Sequence, residues 1–505
     1  MTTSDISRDV RTALSNYPAG LYVALAVGAL LRLYGLGAED YWIDEFRSLQ
    51  YVATRSPIEV ALEIPFFDPH PPLYYVVLDL WTSLVGVSEP AVRLLSAIFG
   101  IAAIPLVYLV GAQLYDQRVG VLSAGILALS QFHVRFSQTA RMYSLLVFAT
   151  LLSMDALLRL RANPTRRTTG WYLLATVVLV YSHVFGVLVV AAQHCYVLGS
   201  RFVRADGTWA VDPRRWLAVH LAVAALAIPW GVGIGQQAMT LVTSGGSGGS
   251  GLAWIPDPTP MRLVSAVGGY LTPSIQNGFA GLLVLIVVGL LALGSQSRVP
   301  LDRERTLLLG CWLAVPVLGL FVASYLLVPL FVARYTSAAL PAVALLLAKE
   351  IRRIGSVEFR YIAVGLVVLS LVAGFPGYYQ QPQYTEWDEA AGTIAGNASE
   401  SDLVLVYYGH ATETFGHYLD GRQSNLTVEG INGTELDAIE TGETPPATRD
   451  AIADHDDVWV TLTDVGPTRR QHVLDLLERT GYGARNSYEF NRVRVYHYVA
   501  NGSEG

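Results

Sequence analysis

Apolar residues along this chain come in runs too long for the strands and helices of a soluble core. Stretches of about 20 mainly apolar residues, the length that crosses a hydrocarbon layer, begin near residues 19, 93, 119, 143, 170, 184, 216, 279, 306, 332 and 358. The pattern predicts an α-helical polytopic membrane domain over residues 1–376 with about 11 spans. A further apolar stretch, PPLYYVVLDLWTSLVGV after His70, is read differently. Counting it as a span would invert every later loop and put RLRANPTRR outside, so it is assigned to a helix lying along the outer surface. It then belongs to a long first outer loop, residues 38–92. Beyond residue 376 the period changes. LVLVYYG and DVWVTLT are short, β-branched and aromatic, and predict buried strands. RRQHVLDLLERTGYG predicts an amphipathic helix closed by glycine, and YEFNRVRVYHYV alternates like a strand or hairpin. Residues 377–505 are therefore expected to form a separate small α/β domain, and TSGGSGGSG at 243–251 a flexible outer loop.

Charge orients this arrangement. Only 15% of residues are charged and the mean hydropathy is +0.40, well away from a soluble protein. Eighteen basic residues fall in the segments that become cytoplasmic if the amino terminus is inside, against seven in the outer loops. That bias predicts a cytoplasmic amino terminus and an extracellular carboxyl-terminal domain in the cell membrane. The sequons at Asn397, Asn425, Asn432 and Asn501 all lie in the tail, as an external domain would have them. From Gly377 onward there are 21 acidic residues against 8 arginines. An acidic appendage on a membrane protein excludes nucleic acid as a partner, since a phosphate backbone needs a basic surface. Lys349 is the one lysine. An acidic, lysine-poor exterior fits a high-salt setting such as a haloarchaeal cell surface. The first apolar run lacks a small-residue cleavage site and is read as a retained helix. Cys195 and Cys311 lie in apolar runs, at a spacing that suits neither a disulfide nor a metal motif.

The candidate chemistry gathers in the outer segments. Asp44 and Glu45 are adjacent carboxylates just after the first span, with Arg47 beside them and His70 a loop away. An ordinary hydrated loop would carry such a pair, and so would a site where a carboxylate takes a proton from, or orients, an acceptor hydroxyl. Arg47 presents the fixed fork of donors that suits a phosphate. Against the overall bias, Arg135, Arg141 and Arg334 also lie on the outer side, the last followed by Tyr335. Each is explained alone by a side chain snorkelling to lipid headgroups. Together with the carboxylate pair they also make a pocket for a lipid phosphate. No phosphate-binding glycine loop occurs. No metal is assigned. A divalent ion at His70 is possible by residue type, with His133 and His183 as partners by topology alone.

Five motifs in order carry a resemblance across residues 40–341: WIDEFRSLQYV, HPPLYY, GVSEPAVRLLSAIFG, FSQTARMYSLL and ARYTSAALP. The chain resembles the GT-C glycosyltransferases of the protein O-mannosyltransferase and aminoarabinose-transferase type. The resemblance implies a GT-C membrane fold and transfer of a sugar from a polyprenyl or dolichyl phosphate at the outer face, with inversion. The acceptor would be a protein, a lipid or a glycan. Asp44 would be the catalytic carboxylate and Glu45 its neighbour. Arg47, Arg141, Arg334 and Tyr335 would hold the donor phosphate, and His70, Tyr74 and Tyr143 would line the substrate pocket. Relatives often carry aspartate where this chain has Tyr143. The competing readings are a transporter or flippase of lipid-linked sugars and a catalytically inert binding protein. A transporter should show broken, polar midplane helices and repeated halves. Here the polar groups collect at the outer ends of apolar spans.

Overall fold

The computed structural model describes residues 17–243, 255–272 and 302–501, apart from short stretches at 408, 423–425, 432–434, 436–437, 440–442 and 464. The glycine-rich loop, the apolar run near residue 279, and Asn425 and Asn432 lie wholly or almost wholly outside the described residues. The chain divides into two compact units, Met1–Leu36 with Tyr51–Gly377, and Gly37–Gln50 with Tyr378–Gly505.

The first unit is helical. Its elements are α1 (Ala19–Leu33), α3 (Pro57–Glu63), a 3-10 turn (Ile64–Phe66), α4 (Leu73–Val85), α5 (Glu89–Leu114), α6 (Gln117–Leu129), α7 (Gln131–Ser137), α8 (Tyr143–Ala162), α9 (Arg166–Ser182), α10 (Gly186–Val203), α11 (Pro213–Thr243), α12 (Pro260–Gly268), α13 (Arg303–Leu326), a second 3-10 segment (Ala333–Ala339), α14 (Leu340–Arg353) and α15 (Val357–Val372). α2 (Ile43–Ala53) begins in the second unit. Among the described residues six helices are long and apolar enough to cross a membrane, or seven if α6 and α7, bent by 62° at their junction, make one span. α1, α9 and α14 are shorter than this test requires. α4 has thirteen residues. At ~1.5 Å per residue it reaches about 20 Å, short of a hydrocarbon core of roughly 30 Å. One face of it, Tyr74, Tyr75 and Leu78, is fully buried while Leu80 and Leu84 are exposed.

Packing is centred on α5, which meets α6, α8 and α1, while α6 also meets α14. The α5–α6 approach depends on glycine. A Cβ on Gly120 would stand 2.6 Å from the Tyr108 carbonyl, and one on Gly111 would stand 2.9 Å from the Gly120 Cα. Small residues at such crossings let backbones touch where no hydrophobic force drives helices together. The large apolar side chains left exposed among the described residues all belong to this unit, Leu217, Leu221, Ile228, Val322 and Ile362 among them. That is the surface a lipid-facing bundle requires.

The α6–α7 break leaves the last carbonyls of α6 without helical partners. Arg32 of α1 answers them. Fully buried, it donates to Leu127 O at 3.0 Å, Ala128 O at 3.1 Å, its own-helix Gly28 O at 2.8 Å and His133 Nδ1 at 2.7 Å. Ser130 completes the joint, accepting from His133 N–H and donating to Tyr270 O at 2.9 Å.

The second unit is a small α/β domain, as its strand and helix patterns predict. A five-stranded sheet runs in the order β2-β1-β3-β5-β4, with β1 (Leu403–Tyr407) parallel to β2 (Thr427–Ile431) and β3 (Asp457–Thr463), and β5 (Val493–Ala500) antiparallel to β3 and to β4 (Tyr482–Phe490). β1 and β3 are almost wholly buried. Helix α20 (Pro467–Arg479) stops before Gly481, whose φ of 94° suits glycine. α16 (Phe375–Gln380) leads into the unit, and α17 (Trp387–Ala395), α18 (Gly409–Asp420) and α19 (Pro446–Ala453) complete it.

Replacing Arg32 by leucine should strand the Leu127 and Ala128 carbonyls, at about 1–3 kcal/mol each. The expected result is a thermal midpoint in detergent several degrees below wild type. An unchanged midpoint would show that the α6–α7 joint does not depend on this cation.

Candidate active site

In the first unit a polar cluster is built from four segments. The first is the loop between the 3-10 turn and α4. Asp68 Oδ1 accepts the His70 backbone N–H at 2.8 Å and lies 2.7 Å from His70 Nδ1, so one carboxylate oxygen sets both the turn and the ring. Only 8% of the Asp68 side chain and 11% of the His70 side chain are exposed. Burial works to raise the Asp68 pKa. The positive charge and hydrogen bond of His70 and the charge of Arg141 outweigh it, and hold the carboxyl well below its ordinary range. Ionised, Asp68 only accepts, so Nδ1 of His70 is the donor of this bond. Gln237 of α11 fastens the loop by donating to Pro65 O at 2.7 Å and Asp68 O at 3.1 Å.

The second segment is the α9–α10 junction with His183. Its Nδ1 accepts the Phe185 N–H at 3.1 Å, its ring stands 5.1 Å from that of His70, and no part of it is exposed. Its Nε2 has no hydrogen-bond partner among the described residues. Burial first, then the charges of His70 and Arg141, press its pKa well below the usual histidine value. The ring is therefore neutral, with Nε2 as the donor.

The third segment is the turn before α8. Arg141 donates to Tyr75 Oη at 3.4 Å, and its carbonyl accepts from Ser96 Oγ at 3.2 Å. Tyr74 donates in turn to Ser96 Oγ at 2.9 Å. Tyr74 thus braces the arginine turn through a serine and is itself fully buried. Tyr143 opens α8, with 1% of its surface exposed and its ring 5.7 Å from His183.

The fourth is the 3-10 segment that carries Arg334 and Tyr335. It is held by Tyr270, which donates to Thr336 O at 2.6 Å, and by the Trp312 indole N–H, which donates to Ala338 O at 2.8 Å. The Tyr335 ring lies 5.1 Å from Phe185, 6.0 Å from His183 and 6.4 Å from Tyr143, and the Arg334 guanidinium sits 5.2 Å from the Tyr335 centroid. The first unit thereby groups His70, Tyr74, Arg141, Tyr143, Arg334 and Tyr335 about two residues, Asp68 and His183. Asp68 escaped the sequence reading. The D-x-H spacing is its only signal, because an Asx turn needs that interval. His133 takes its hydrogen bond from Arg32 instead.

The other three predicted residues lie in the second unit, Asp44 and Glu45 on the first turn of α2 and Arg47 just after it. Glu45 is fully buried, and its Oε2 accepts the Trp42 N–H at 3.0 Å. Asp44 and Arg47 are half-buried, and Ser48 Oγ donates to the Asp44 carbonyl at 2.9 Å. Carboxylates in a first helical turn are favoured by the positive end of the helix dipole.

For a metal, the described residues offer one group of three suitable side chains, Asp402, Asp457 and His497, with ligand atoms within 4.8 Å of one another. Their bonds are already exchanged within the sheet. Asp402 Oδ2 accepts from Trp459 Nε1 at 3.0 Å and Ser399 N at 3.1 Å, and His497 Nε2 meets Asp457 Oδ1 at 2.6 Å while its ring stacks on Trp459 at 4.1 Å. Among the described residues no such group of three gathers around His70.

Residues 69–232 match the family model described as dolichyl-phosphate-mannose-protein mannosyltransferase. No curated protein matches the sequence. Among solved structures, ArnT from Cupriavidus metallidurans in the apo state aligns with a TM-score of 0.59 at 13% identity, over 94% of this chain and 97% of that one. The same protein bound to undecaprenyl phosphate gives 0.58 at 12% identity, over 94% and 97%. The archaeal oligosaccharyltransferase AglB from Archaeoglobus fulgidus, in complex with an inhibitory peptide and a dolichol-phosphate, gives 0.53 at 13%, over 96% of this chain and 74% of that one. In fold the chain is similar to these glycosyltransferase structures over most of its length, as its motifs led one to expect.

Below about pH 6.5 the unfolded chain protonates His183 and the folded one does not, so this residue lowers stability as pH falls. His183→Gln should therefore lose less of its thermal midpoint than wild type between about pH 7.5 and about pH 5.5. Parallel losses in the two proteins would show that the ring is not held neutral.

Proposed function

We propose that this protein transfers a sugar from a polyprenyl (dolichyl) phosphate carrier to a protein, lipid or glycan acceptor at the outer face of the membrane. The observation that carries the reading is the grouping of a buried Arg141 and the half-buried Arg334 and Tyr335 with a buried, neutral, donor-bearing His183. Two guanidiniums and an N–H donor among apolar helices suit a phosphate whose tail stays in lipid. The family match covers His70, Arg141, Tyr143 and His183, and two of the structural neighbours hold an undecaprenyl or dolichol phosphate.

In this reading Asp44 accepts the proton of the acceptor hydroxyl as its oxygen attacks the anomeric carbon. The bond from that carbon to the phosphate oxygen breaks in the same displacement, inverting the centre and releasing polyprenyl phosphate. Arg47, Arg141 and Arg334 stabilise the charge that develops on the leaving phosphate, with Tyr335 beside Arg334. Glu45 shapes the turn that presents Asp44, and His70, Tyr74 and Tyr143 belong to the walls of the donor pocket. The excess of basic residues in alternate loops supports a cytoplasmic amino terminus and an external carboxyl-terminal domain. An acidic, lysine-poor exterior supports a high-salt, haloarchaeal setting.

Membranes supplied with a labelled polyprenyl-phosphate sugar test this directly. Asp44→Asn should lower transfer by about 100-fold or more, the usual worth of a general base; wild-type transfer would remove Asp44 from the chemistry. Arg334→Ala should weaken donor use about tenfold or more, and an unchanged dependence on donor concentration would take Arg334 out of the phosphate site.

A further inference from the structure

The four residues before α2 are fixed to the soluble domain one after another. Glu39 Oε2 accepts the backbone N–H groups of Gln383 at 2.9 Å and Tyr384 at 2.8 Å. Asp40 Oδ2 accepts the N–H of Asp388 at 2.7 Å, in the first turn of α17. The Tyr41 N–H donates to Tyr418 Oη of α18 at 2.7 Å, and the Trp42 ring stacks on Tyr384 at 5.9 Å and 12°. Phe46, one turn into α2, lies 5.0 Å from the His417 ring.

The receiving segment is itself anchored to the sheet. Asn491, in the turn between β4 and β5, donates from its side chain to Tyr384 O at 2.5 Å and to Pro382 O at 3.2 Å. Its backbone N–H donates to Glu386 Oε2 at 2.7 Å, and Glu386 N–H returns a bond to the Asn491 carbonyl at 3.2 Å. Helix α17 has no side-chain cap from its own N-cap residue, Glu386. Asp40, 348 positions earlier in the chain, meets one of its orphan amides.

We propose that the carboxyl-terminal domain acts as a positioning unit for the transfer reaction, setting the placement of Asp44 through Glu39, Asp40 and Tyr418. The proposal rests on the role given to Asp44 above. A base displaced by about 1 Å loses a large part of its effect, and the 39–42 segment ends two residues before that carboxylate. Glu39, Asp40 and Tyr418 touch no substrate in this scheme and act through α2. Loosening them should lower kcat and leave donor KM alone.

The full-length protein in native membranes, with the labelled donor, provides the test. The double variant Glu39→Gln, Asp40→Asn should cut kcat about tenfold with donor KM unchanged, and Tyr418→Phe, which removes a single hydroxyl, should cut it about threefold. In an Asp44→Asn background the same changes should produce no further loss, because the base they position is gone. Hydrogen exchange should report faster uptake in residues 39–48 of the variants. Wild-type kcat in both variants, while Asp44→Asn is impaired, overturns the positioning role and leaves Asp44 standing. A fully active Asp44→Asn overturns the assignment of Asp44 itself. A loss of equal size in the wild-type and Asp44→Asn backgrounds shows general destabilisation and also overturns the proposal. Should the double variant not accumulate, Tyr418→Phe carries the decision alone.

Discussion

Asp68 is an ionised carboxylate with only 6% of its surface exposed, and the first-unit site is arranged around satisfying it. Moving a carboxylate out of water costs several kcal/mol unless charge and hydrogen bonds replace the lost hydration. His70 supplies two of those bonds from within the same turn, and Arg141 adds a positive field. Each answer has a further consequence. Asp68 holds Nδ1 of His70 as a donor. Burial, reinforced by the positive field of Arg141, keeps the neighbouring His183 neutral. Two adjacent histidines thereby meet different partners at Nδ1, a carboxylate for His70 and a backbone N–H for His183.

The helices around this cluster obey a related constraint on the backbone. A bundle in lipid has no water to satisfy a broken helix, so the bend between α6 and α7 requires an internal donor. Arg32 fills that need with donors shared among three carbonyls and the His133 ring. The 3-10 segment bearing Arg334 and Tyr335 is handled the same way, its carbonyls taken by the Tyr270 hydroxyl and the Trp312 indole. Irregular backbone at the two places where cationic or aromatic side chains are presented is paid for by buried donors from other helices.

Much of this was legible in residue order, and the exceptions have physical causes. The strands at 403–407 and 457–463 were readable because a buried strand needs a short apolar, β-branched run. The alternation at 488–499 was readable as a strand or hairpin, and it covers the end of β4 and most of β5, while the start of β4 was not read. The bend at Ser130 was not, since neither proline nor glycine marks it. The donors it requires come from Arg32, almost a hundred positions away. The importance of Asp68 was hidden inside DPHPP, which looks like a plain turn. The partners of Glu39 and Asp40 could not be read at all, because a carboxylate that binds backbone amides leaves no mark on the residues providing them.

That last class of contact bears on how the polypeptide is organised. The division into compact units does not follow the division into apolar and polar sequence, since residues 37–50 count with the carboxyl-terminal sheet. A segment of 14 residues cannot bury enough apolar surface to fold alone. Its order must be borrowed, and the donors it borrows belong to a strap tied to the β4–β5 turn. An acidic pair preceding the DE motif is then more than a solubilising run. Glu39 and Asp40 are the acceptors through which backbone amides built far along the chain hold the segment that leads into the DE motif.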